Sequence, residues 1–106
     1  MNAETAKILY KADAKGIPQV KHSLSNGHGY CAMGIIARWA SRLDLAIEMK
    51  EAPHQGGCSL CGAQTGKTIW GTDYPLGNEW NLVAHLNNDH GLTFSEIARK
   101  LGPDSI

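Results

Sequence analysis

The chain has 106 residues, ten of them basic and ten acidic, for a net charge of zero with histidine neutral. That length suits one small domain that gains from a covalent or metal staple, and the balanced charge argues against a broadly nucleic-acid-binding surface, which would carry excess Lys and Arg. No apolar run approaches the length of a bilayer span, and "MNAETAKILYKADAKG" lacks the order of a secretion signal, so a cytoplasmic protein is expected.

The first element is a helix from about Ala3 to Ala14, with Asn2 placed to cap it and Gly16 followed by Pro18 to end it. Ile8, Leu9 and Ala12 form its apolar side. Lys7, Lys11 and Lys15 recur every four residues as a basic stripe on the opposite side. "VKHSLSNGHGY" then reads as a loop carrying His22 and His28. From Tyr30 to about Lys50 the apolar residues Cys31, Ile35, Trp39, Leu43 and Ile47 fall in a straight i, i+4 row, widened by Ala32, Ile36 and Ala40, which predicts one long central helix.

After "EAP" the composition turns glycine-rich, with "CSLCG" at Cys58 to Gly62 and a β-prone "KTIW", read as a knuckle followed by a hairpin or extended loop. Asn78 can cap a helix from Glu79 to about Asn88. In "LTFSEIARKLGP", Thr93 and Glu96 make a capping box, Leu92 can staple to Ile97, and Gly102 with Pro103 ends the helix. The expectation is a mainly α single domain (1–106) of about four helices. Its helical part is 1–52, its zinc-knuckle and hairpin segment 53–78, and its C-terminal helices 79–106.

The three cysteines cannot all enter disulfides, and a reducing compartment favours thiols or metal ligands. Cys58, Cys61, His85 and His90 spell C-x2-C-x23-H-x4-H. The two-residue gap lets a tight turn aim both thiolates at one ion, and four soft-to-borderline ligands indicate structural Zn2+. The gap of 23 residues is longer than usual, and His54 can replace a ligand. On an ideal helix, residues five apart stand about 140° from each other, so His85 and His90 converge only if the last turn unwinds, for which Gly91 is suitably placed.

Three other signals carry less. "GAQTGKT" has three residues between its glycines where a phosphate-binding loop needs four. "FSEIARKLG" resembles the first helix of a helix-turn-helix, with no recognition helix expected after it. Cys31, at a helix start and shortly after His22 and His28, has the placement of a cysteine nucleophile. It also lies on the same stripe as Ile35 and Trp39, and the reading as a buried packing residue is preferred.

"GYCAMGIIARWA" and "HLNNDHGLTFSEIARKL" resemble small uncharacterised phage and prophage proteins with a Cys-Ala-Leu-Gly-Ala helix start and a later Leu-Asn-Asp segment. Here Met33 and Ile35 stand for the usual Leu and Ala, and Asn88 interrupts the triplet. The resemblance implies a viral or mobile-element origin and no established activity. The preferred expectation is a non-enzymatic, zinc-stabilised binding module with a protein partner. The alternatives are a cysteine-dependent hydrolase or transferase using Cys31 with His22 or His28, and, more weakly, nucleic-acid binding through Lys7, Lys11, Lys15 and Lys21.

Overall fold

A computed structural model describes residues 3–22, 25–39, 45–51, 53, 57–68 and 70–102. Its elements are helices α1 (Ala3–Ala14), α2 (Ala32–Trp39) and α3 (Leu45–Glu51), strands β1 (Thr65–Lys67) and β2 (Asp73–Pro75), and helices α4 (Glu79–Asn88) and α5 (Phe94–Leu101). The expected caps at Asn2 and Pro103, and the alternative ligand His54, lie outside the described residues.

Several local signals act as expected. Asn78 Oδ1 accepts the Asn81 N–H at 2.8 Å and starts α4. The Thr93–Glu96 capping box forms in both directions, with Thr93 Oγ1 accepting the Glu96 N–H and Glu96 Oε1 accepting the Thr93 N–H. The glycine-rich segment yields an antiparallel pair in register Thr65↔Pro75, Gly66↔Tyr74 and Lys67↔Asp73, closed by a cross-strand ion pair of 2.7 Å between Lys67 and Asp73.

Where one long helix was expected, the described residues hold α2 and α3 on either side of residues 40–44, and five helices are described against the expected four or so. Residues 40–44, Leu43 among them, lie outside the described set. At the start of the row, up to the end of α2, one face is not kept: Cys31 and Ile35 are buried, yet Trp39 is 40% exposed, while Ile47, on α3, is 54% exposed. The reason lies in helix geometry. Four residues overshoot one turn by about 40°, so a strict i, i+4 row drifts round the axis and a lasting stripe must alternate steps of three and four. Ala32, Ile35, Ile36 and, on α3, Met49 fill the core instead.

α1 packs most extensively on α5, α2 bridges α1 and α4, α3 lies along α4, and the hairpin sits on α4. The core joins Ala6 and Leu9 of α1 to Ile35 and Ile36 of α2, and to Phe94 and Ile97 of α5, with Leu82, Val83 and Leu86 of α4 at its centre. Cys58 and Leu76 extend it beneath the knuckle. Lys50 Nζ lies 5.6 Å from the Trp80 ring, linking α3 to α4. The radius of gyration is 12.7 Å, near the value of about 13 Å for a compact chain of this length. Among the described residues no helix is long and apolar enough to cross a membrane.

Candidate metal centre

The knuckle is built on the backbone. Cys58 N–H donates to Ala63 O at 2.8 Å and Gly62 N–H to Cys58 O at 2.7 Å, so the chain reverses across Ser59 and Leu60. Leu60 N–H points at Cys58 Sγ, 3.4 Å away. Gly57 must be glycine: its φ is +66°, and a Cβ there would meet Ala63 O at 2.1 Å. The turn therefore requires both the reversal and its glycine border, and it leaves both sulfurs on one side.

α4 delivers the histidines. Its regular bonds end as Asp89 N–H reaches His85 O at 2.8 Å, and His90 N–H bonds the same carbonyl at 3.4 Å, five residues back. That wider closure, continued by Leu92 N–H to Leu86 O at 3.1 Å and by Gly91 at φ +64°, swings the second imidazole beside the first. The rings meet edge to face, with centroids 4.8 Å apart.

The four side chains converge. Cys58 Sγ lies 3.4 Å from His90 Nε2, Cys61 Sγ 3.4 Å from His85 Nε2, and the two Nε2 atoms 3.2 Å apart. All four donor atoms fall within 4.8 Å of one another. Tetrahedral zinc, with bonds of about 2.3 Å to sulfur and about 2.0 Å to nitrogen, has N···N edges of about 3.3 Å and N···S edges of about 3.5 Å, and the two S···N contacts and the N···N contact match such edges. Cys58 and His85 are buried, His90 half-buried and Cys61 exposed.

A further residue, not anticipated from the spacing, supports the donor set from outside it. Asp89 Oδ2 lies 2.6 Å from His85 Nδ1. The carboxylate accepts a hydrogen bond from Nδ1–H in the tautomer that leaves the Nε2 lone pair facing the other donor atoms, and this contact fixes the ring's rotation. The signal was present in the sequence as an i, i+4 pair. This Cys2His2 group can hold a metal ion, and the donor chemistry fits one.

The other candidate residues are placed differently. Cys31 stands just before α2, its carbonyl accepting the Ile35 N–H at 2.9 Å and its thiol the Gly34 N–H at 3.3 Å, so it acts as the N-cap of that helix. Burial pushes its thiol pKa up against the lowering effect of the Gly34 and Met33 amides, which is the reverse of nucleophile activation. Among the described residues no hydrogen bond joins it to His22 or His28, both exposed. His22, at φ +60°, donates its N–H to Asn88 Oδ1 at 2.9 Å. The His28 N–H is taken by Asn26 Oδ1. Lys7, Lys11, Lys15 and Lys21 are all exposed. "GAQTGKT" runs into β1 with no helix behind it.

Asn87, buried to 1% exposure, is the second residue the sequence did not flag. Its Oδ1 accepts from Gln19 Nε2 (2.8 Å) and Ala32 N–H (3.0 Å), and its Nδ2 donates to Val20 O (2.9 Å) and Asn88 Oδ1 (2.9 Å). One side chain thus ties the end of α4 to the start of α2 and to the preceding loop. No protein-family model, curated protein or solved structure matches the chain.

Proposed function

We propose that the chain is a non-enzymatic binding module whose fold is closed by one structural zinc ion held by Cys58, Cys61, His85 and His90. The convergence of two thiols and two imidazole Nε2 atoms, one ring oriented by Asp89, carries this reading. Two sulfur and two nitrogen donors in tetrahedral number favour zinc over the oxygen-seeking cations, and four protein ligands leave no open position for a reacting water. The resemblance of the Cys31 and His85 segments to phage proteins supports a role in which such a module acts on a host protein.

The test is metal analysis of the purified protein, with cobalt substitution to report geometry. One equivalent of zinc and a tetrahedral, thiolate-ligated cobalt spectrum are expected. Cys58→Ser, Cys61→Ser, His85→Ala and His90→Ala should each lower metal content and melting temperature. Protein with only a trace of zinc, and with stability indifferent to a strong chelator, would sink the reading.

A further inference from the structure

We propose that the groove between α1, Ile17 and α2 docks an acidic segment of a partner protein, which inserts one large apolar side chain beside Trp39 and pairs its carboxylates with Lys7, Lys11 and Lys15. The inference rests on the binding-module reading and names the partner's chemistry.

The groove has a volume of about 200 Å3 and is lined by Ile8, Ala12, Ile17 and Trp39, with Lys11 and Lys15 at its edge. That volume suits one large side chain. The floor is apolar for a reason visible in α1: its buried face runs through Ala6, Leu9 and Ala12, which leaves Ile8 turned aside from the core's centre and half-exposed. Trp39 is 40% exposed. It stands edge-on to Tyr30, centroids 5.1 Å apart, and the Arg38 guanidinium lies 5.4 Å from its ring. A part-exposed Trp with Arg beside it has the composition of an interface anchor.

On α1 and just past its end, the three lysines Lys7, Lys11 and Lys15 outnumber the two acids, Glu4 and Asp13. Lys7, Lys11 and Lys15 are exposed and form no ion pair among the described residues. Asp13, the acid on the same helix's last turns, turns away and accepts the Ser95 N–H at 3.1 Å. In a chain of zero net charge, a local row of unpaired cations beside an apolar slot is complementary to carboxylates flanking a hydrophobic residue. A nucleic acid would use the lysines and leave the slot unfilled, and the neutral chain lacks the wider positive field such a ligand demands.

The test uses a random peptide library selected on immobilised, metal-loaded protein and counter-selected on a variant carrying Lys7→Glu, Lys11→Glu and Lys15→Glu. The expected enrichment is for peptides with several Asp or Glu around a Leu, Phe or Trp. A synthetic copy should bind about tenfold or more weakly to the triple variant and to Trp39→Ala, and more weakly in high salt. Circular dichroism and metal content must match wild type for each variant, and Lys11→Gln provides a milder variant that should weaken binding in the same direction. No enrichment, enriched peptides without acidic bias, or tighter lysine-dependent binding of a single-stranded oligonucleotide than of any peptide would each overturn the inference. Peptides whose binding ignores Trp39 and the lysines also overturn it while leaving a binding module intact. Peptide binding at this groove by a protein without zinc supports it while removing the metal reading.

Discussion

Asp89 orients the candidate centre without itself being a ligand. Its carboxylate, 2.6 Å from His85 Nδ1, makes His85 a stronger and better-aimed donor. Asp89→Ala should therefore leave all four ligands in place yet weaken metal affinity by about 10- to 100-fold, measured by competition with a chromophoric chelator; an unchanged affinity would reduce the contact to a surface pair. Cys31 differs from the other two thiols in kind. Buried, and with its pKa pushed up, it should resist alkylation at neutral pH in the native protein, while Cys58 and Cys61 become reactive once the metal is removed. Its capping role adds a stability prediction. Cys31→Ala, which removes the acceptor for the Gly34 N–H, should cost about 1 kcal/mol, whereas Cys31→Ser keeps an acceptor favoured at this position and should cost less. Fast modification of Cys31 in the metal-loaded protein would restore the nucleophile reading.

At the scale of elements, α4 carries two unrelated jobs on adjoining faces. His85 and His90 meet the knuckle at its end, while Asn87, between them in sequence, holds α2 and the loop before it. The orphan N–H of Ala32 at the start of α2 is satisfied only through this side chain among the described residues. Asn87→Ala would leave that amide, Gln19 Nε2 and Val20 O short of partners, although Gln19 Nε2 keeps its bond to Leu92 O. A loss of about 2–4 kcal/mol in urea unfolding is expected, with metal stoichiometry retained at low denaturant. A loss below about 0.5 kcal/mol would show that water replaces these bonds at little cost.

For the whole molecule, the two ends depend on different forces. α1 and α5 associate through apolar side chains and through Asp13, whose carboxyl the Ser95 hydroxyl and amide hold below its ordinary 3.8. A lowered folded-state pKa means that this contribution is complete above the unfolded value and is lost only as pH falls through the lowered one. The knuckle and hairpin have little buried surface of their own beyond Cys58 and Leu76, so a metal held by the cluster would order them by closing the segment between Cys61 and His85. Chelation should thus abolish hydrogen-exchange protection of the Cys58, Gly62 and Leu76 amides, bonded to Ala63 O, Cys58 O and Gln64 O, before that of Ile97 in α5 and of Gly102 at its C-terminal cap. Mild acid, in which protons compete with the metal for imidazole and thiolate, should act on the same end first. Simultaneous loss across all five amides would show one cooperative unit instead.

The helix limits at Ala3, Ala14, Glu79 and Asn88 and the capping box at Thr93 were legible in the sequence, because each depends on neighbours within a few residues, and the four residues of the Cys2His2 group could be named from their spacing. The exposure of Trp39 was not legible, since a four-residue step looks regular in a string of letters and drifts only on a real helix. Nor could the sequence decide whether His85 and His90 face one point. That required the five-residue closure at His90, the turn at Gly91 and a knuckle brought across 23 intervening residues. Local signals fix where an element starts and stops, whereas convergence of distant side chains, and the burial that makes Asn87 and Cys31 structural, arise only when the elements pack.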